Sequence, residues 1–190
     1  ARGGTPPDTA APPVDPPPIT SAPTSGVPAS PADPNSTGVP ELNPETRYGV
    51  KYEKKEVLDL QWPPTCSGPE SNIDLDVPRV IVNGEPGSDL LLDSDCGGSA
   101  TPFFQLAGNS KGAKVGSPIA TPQECNERIN KGPVLPRTPI PARQGEVFCV
   151  LTDFAAAQQS GDTWKMARVE IKSVAANERV SIEVTAWNIP

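Results

Sequence analysis

The chain has 190 residues, a formal net charge of −7 and no histidine, and half of its 26 prolines fall within the first 45 residues. Its lysines and arginines are scattered, which argues against nucleic acid, because phosphate binding needs clustered cations. The missing histidine excludes Ser-His-Asp triads, Cys-His dyads and His-ligated metals. No apolar run approaches the roughly 20 residues of a membrane helix, so no membrane insertion is expected within this chain.

Residues 1–45 contain no aromatic side chain and read Pro6-Pro7, Pro12-Pro13, Pro16-Pro17-Pro18, then proline among Ser, Thr, Ala and Gly. Such a segment has too little apolar surface to offset its ordering entropy, and it is expected to be a disordered tether of polyproline II character. Extended, it would reach on the order of 100 Å. Every aromatic and all four cysteines lie in residues 46–190, which are long enough for one domain with its own core. Ala1-Arg2-Gly3-Gly4 is not the start of a signal peptide, and the chain is expected to be a portion excised from a longer protein.

The domain reads as short strands between turns. Lys51, Lys54 and Lys55, interleaved with Glu53 and Glu56, form a solvated strand edge rather than a polyanion site. Leu58, Leu60 and Trp62 alternate with Asp59 and Gln61. Ile73, Leu75 and Val77 alternate with Asn72, Asp74 and Asp76, which predicts those three polar residues on the solvent side. Val80-Ile81-Val82 ends at the turn signal Asn83-Gly84, and Leu90–Leu92 and Phe103–Leu106 are further candidates. Thr121-Pro122-Gln123-Glu124 is a capping box with proline at the first helical position, and Gly132 ends the short helix that follows. Residues Glu146–Thr152 are apolar on both sides, as a central strand requires. In the last two strands, Ala167, Val169 and Ile171 pair with Val180, Ile182, Val184 and Ala186 across a turn at Ala176-Asn177-Glu178. The expected fold is all-β: an antiparallel sandwich or small barrel with one short helix and two disulfides.

Cys66, Cys96, Cys125 and Cys149 carry no C-x-x-C pair, so two disulfides are favoured over zinc. Four cysteines allow three pairings. Sequential pairing, Cys66 with Cys96 and Cys125 with Cys149, is expected because the second bridge would staple the helix to the strand that follows it. Disulfides imply an oxidising, extracytoplasmic compartment.

Candidate chemistry is sparse. Asp89, Asp93 and Asp95 precede Cys96-Gly97-Gly98, but position twelve of a calcium loop begun at Asp93 is Phe104 rather than glutamate, so a solvated turn is favoured. Asp74 and Asp76 form a strand-face ladder that reads as solvated rather than metal-binding. No metal, cofactor or catalytic residue is expected; paired acids at Asp93 and Asp95 are the only enzymatic reading, of the glycosidase type. Trp164 and Trp187 fall out of phase with the inward sets, which predicts exposed indoles able to stack on sugar rings or anchor a protein. The alternative for both is a second core layer under a loop or the tether.

Phe148-Cys149-Val150-Leu151-Thr152, Val169-Glu170-Ile171 and the run Val180–Trp187 resemble the closing hairpin of actinobacterial extracytoplasmic domains. Ser94-Asp95-Cys96-Gly97 and Thr121-Pro122-Gln123-Glu124-Cys125 resemble that group's earlier cysteine positions. The group stands behind a transmembrane helix and a Pro/Thr-rich tether, in some serine/threonine protein kinases and in other membrane proteins. Leu151 and Asp153 depart from the polar run that more usually follows the cysteine. The resemblance implies the outer part of a membrane-anchored protein. With the tether and the tryptophans, it gives the expected function: a non-enzymatic sensor or binding module facing cell-wall polymer or a surface protein. The alternative is a secreted structural or inhibitory protein that docks through the Pro-rich loop 132–143.

Overall fold

The computed structural model describes residues 38–63, 70–81, 87–95 and 100–190, with only the backbone path at 54–57. The expected tether up to residue 37 and the Cys66–Cys96 pairing lie outside the described residues.

Among the described residues, ten strands form two five-stranded antiparallel sheets. One has the order β1 (Gly49–Gln61), β10 (Arg179–Asn188), β9 (Lys165–Ala175), β8 (Val147–Leu151) and β6 (Lys111–Val115). The other has the order β3 (Arg79–Ile81), β2 (Ser71–Asp74), β4 (Leu90–Ser94), β5 (Pro102–Leu106) and β7 (Ile140–Pro141). Two sheets facing each other make this a sandwich and not a closed barrel. Two helices, α1 (Pro122–Lys131) and α2 (Phe154–Ser160), complete the described elements, one more helix than the sequence pattern signals.

Alternation explains the inner core. Leu60, Phe148, Val150, Val169, Ile171, Ile182 and Val184 from the first sheet meet Ile73, Leu75, Leu90, Leu92, Phe104 and Ile140 on the side of the second. The rings of Phe104 and Phe148 approach to 5.6 Å at a tilted angle, bridging the two layers. The hairpin β9–β10 pairs Val184 with Val169 and Ala186 with Ala167, and its turn is closed by Glu178 at φ 65°.

The other face of the first sheet is also covered. Val147, Cys149, Leu151, Met166, Trp187 and Ala113 pack there under α1, which contributes Cys125 and Ile129, and under Ala157 of α2. Leu42, which composition groups with the tether, packs against this second core, and its carbonyl accepts from Asn126 Nδ2 at 3.4 Å. The α1 capping box forms as the sequence predicts: Glu124 N–H donates to Thr121 Oγ1 (3.2 Å) and Thr121 N–H donates to Glu124 Oε2 (2.7 Å). Cys125 and Cys149 are bonded with a Cα–Cα distance of 5.5 Å, fastening the helix to β8. Close approach dictates Gly112 in β6, where a Cβ would stand 2.9 Å from the Cys149 carbonyl oxygen and from Leu106 Cδ2.

Candidate functional site

The two tryptophans proposed as a stacking platform are both in the second core, with Trp164 6% and Trp187 7% exposed. The register does put Trp187 opposite the inward Val180–Ala186 set, but that face is roofed by helices rather than open to solvent. Trp164 donates Nε1–H to the Thr152 carbonyl at 2.7 Å and meets Phe154 edge-on at 5.1 Å. The Arg168 guanidinium lies 5.7 Å from the Trp187 ring centre and donates to the Ala120 carbonyl and Thr185 Oγ1. The Trp164 N–H is bonded within the protein and the Trp187 ring lies against Arg168, and burial leaves neither indole a flat face open to a sugar ring.

The acidic residues are regrouped. Asp93 and Asp95 bond to nearby groups instead: within β4 Asp93 Oδ1 accepts from Ser94 N–H at 2.7 Å, and Asp95 Oδ2 accepts from Thr101 Oγ1 at 2.8 Å. Asp89 leaves that group and joins Asp74 and Asp76, one carboxylate oxygen of each lying within 4.8 Å of the others. All three are buried, at 5%, 7% and 1% exposure for Asp74, Asp76 and Asp89. The expectation that Asp74 and Asp76 face solvent fails because β2 ends at Asp74. The chain turns there, so residues 73–76 are buried consecutively while Val77 is exposed.

Local structure explains each carboxylate. Asp74 Oδ1 accepts from Asp76 N–H (2.9 Å) and Val77 N–H (3.1 Å), folding the turn onto itself, and Oδ2 pairs with Arg79 Nε at 3.0 Å. Asp76 Oδ1 accepts from Thr152 Oγ1 at 2.9 Å and stands 3.6 Å from Lys165 Nζ, whose side chain is itself buried. Lys165 Nζ also donates to the Thr163 carbonyl at 2.6 Å. Asp89 Oδ2 accepts from Leu75 N–H at 2.8 Å, and Oδ1 accepts from Ser110 Oγ at 2.9 Å and Asp153 N–H at 3.2 Å.

Burial pushes both inner carboxyls up: Asp76 to about 6, against the Thr152 hydrogen bond and the Lys165 charge, and Asp89 to about 7, with the Asp76 charge adding to burial. At the neighbouring Asp153, burial acts in the same direction but is outweighed by hydrogen bonds from Asn109, Ala156 and Ala155, which hold its carboxyl below the ordinary range. Asp153 thereby stays charged as the N-cap of α2, which the sequence pattern did not signal.

Donors from the protein itself occupy both oxygens of Asp74 and both of Asp89, so the cluster is built first as a joint between elements. Beside it a pocket of about 220 Å³, lined by Asp74, Asp76, Arg79, Gln159, Ser160 and Asp162 among others, opens to solvent. Sequence reasoning missed Thr152 and Lys165 altogether. A lysine opening an apolar strand was the available signal, since a buried ammonium requires a carboxylate nearby.

In the Pro-rich segment after α1 only residues 135–139 project fully to solvent beyond Val134, whereas Ile140–Pro141 forms β7 and the Ile140 and Ala142 side chains are in the core. Val134 N–H donates to the Gly112 carbonyl at 2.7 Å and Ala142 N–H to the Pro102 carbonyl at 2.9 Å, anchoring both ends. At the tip, Thr138 N–H closes on the Leu135 carbonyl at 3.1 Å with Pro136 second and Arg137 third at φ 61°, a turn that normally asks for glycine at that third position. Leu135 is 68% exposed there.

Comparison with protein-family models, with curated proteins and with solved structures finds no match to this chain. Among the described residues no helix is long and apolar enough to cross a membrane.

Proposed function

We propose that this chain is a non-enzymatic, extracytoplasmic binding module, carried by a membrane-anchored protein on a Pro-rich tether and directed at a surface protein. The observation that carries the compartment is the buried Cys125–Cys149 bond between α1 and β8, since such bonds persist outside the reducing cytoplasm. The Pro-rich first 45 residues support the tethered presentation. Burial of Trp164 and Trp187 removes the basis for stacking on wall glycan, and the exposed tip at Leu135 and Arg137 supports a protein contact instead. The same tip supports the second reading, a secreted inhibitory protein in which the exposed part of loop 132–143, residues 135–139, enters a partner's cleft; Pro136 and Pro139 limit the entropy lost on docking.

The test is binding of the fluorescently labelled full chain to intact actinobacterial cells, before and after surface proteolysis and before and after digestion of wall glycan. The reading expects binding that proteolysis abolishes and that Leu135→Asp weakens at least about tenfold, the loss of one well-packed apolar anchor. Binding removed only by glycan digestion would restore the wall-polymer form. No binding to any cell would overturn both forms of the module.

A further inference from the structure

Asp76 and Asp89 sit where the two sheets and α2 come together, and the groups around them do not balance in charge. From the second sheet come Asp74, already matched by Arg79, and Asp76 itself; from the segment before β4 comes Asp89. From the first sheet come Thr152 and Lys165, and from the ends of α2 come Asp153 and Asp162. Lys165 approaches Asp76, and among the described residues no cationic side chain pairs with Asp89. The donors to Asp89 are all neutral: two backbone amides and one hydroxyl. Two carboxylates and one ammonium thus share a region almost closed to water, where an uncompensated charge is costly. A proton on one carboxyl removes that imbalance without moving any element.

These bonds also link separate parts of the fold. Asp89 joins the 75–77 turn to the start of α2, and Asp76 joins that turn to Thr152 at the end of β8. We propose that Asp76 and Asp89 form a proton-controlled latch between the two sheets, closed when the pair holds one proton and weakened when both carboxyls are ionised. Their displaced acidities, up to about 6 for Asp76 and about 7 for Asp89, agree with a pair that takes up its proton in mildly acidic surroundings.

The sign follows from linkage. Both carboxyls bind protons more tightly folded than unfolded, where the ordinary value is 3.8. Between those values the native state carries the extra proton, so the latch stabilises at the acidic end and its contribution is lost as pH rises toward about 7. A carboxylate held below its ordinary value by hydrogen bonds, as Asp153 is, behaves in the opposite way.

The experiment is denaturant unfolding of the full chain at a series of pH values, for the wild type, Asp89→Asn and the half-exposed control Asp93→Asn. Relative to Asp89→Asn, the wild-type unfolding constant should rise by up to about tenfold per pH unit between about pH 5 and about pH 7, and Asp93→Asn should follow the wild type. Parallel curves for wild type and Asp89→Asn would overturn the latch. Because Asp89→Asn could fail to fold, carboxyl carbon NMR of the wild type gives an independent decision. At least one aspartate should titrate above about pH 5.5, and completion of every aspartate titration below about pH 5 would overturn the proposal.

Discussion

The two faces of the β1–β10–β9–β8–β6 sheet are buried by different means. The inner face meets a second sheet, and long aliphatic and aromatic side chains from both layers interdigitate; among the described residues no disulfide joins these two layers. Among the described residues the outer face is covered by α1, α2, Ala120, Ile189 and the stretch around Leu42 and Tyr48. Short elements supply little area, and helices of this length are marginal by themselves. The outer layer accordingly carries the Cys125–Cys149 bond, two side-chain N-caps and a guanidinium stacked on an indole. Where a whole sheet provides the cover, alternation fills the centre and polar bonds such as those of Asp76 and Asp89 sit at its margin; where two short helices do, a disulfide and caps fasten the cover itself.

The comparison can be broken most severely from the inner side. Phe148→Ala leaves a cavity between the sheets and should cost about 3–5 kcal/mol in denaturant unfolding, with much of the chain failing to fold. Replacing Cys125 and Cys149 together by alanine frees a loop with a sequence separation of 24 and should cost about 3 kcal/mol, seen as a lower unfolding midpoint that added reductant no longer shifts through this bond. Trp164→Phe keeps most of the ring but strips the donor from the buried Thr152 carbonyl, for a loss of about 1–2 kcal/mol. Thr121→Ala removes one side of the capping box and should cost about 1 kcal/mol, with faster hydrogen exchange confined to the first turn of α1. If the cysteine pair proved as costly as Phe148→Ala, the outer layer would have to be counted as part of the main core.

The sequence made much of the inner layer legible because period-two alternation reports directly on a half-buried strand. Leu60, Ile73, Val169 and Ile182 all lie where that pattern puts them. The pattern does not say what covers the other side, and Trp164 and Trp187 show the consequence: their phase was readable and their burial was not. The helix α1 was legible from its capping box, whereas α2, with Phe154-Ala155-Ala156-Ala157 after Asp153, carries too short a pattern to separate from a loop. Strand β6 went unread because Gly112 and two lysines interrupt its alternation; the glycine is demanded by a neighbouring backbone that no local pattern reveals. The buried acids were misjudged for a related reason. Extending the strand past Asp74 assigned Asp76 to solvent, while the actual turn brings it beneath Thr152 and Lys165, 76 and 89 residues further along the chain.

Strand β1 ends one side of its sheet and pairs with β10 through a register that slips twice, between Val50 and Tyr52 and between Tyr52 and Glu56. Lys51 and Glu53 are exposed along the same stretch. Copies of a chain brought close together are apt to join exposed outermost strands into a continuous ribbon. An interrupted, charged border makes such joining unfavourable, so neighbouring copies can be crowded while remaining separate molecules.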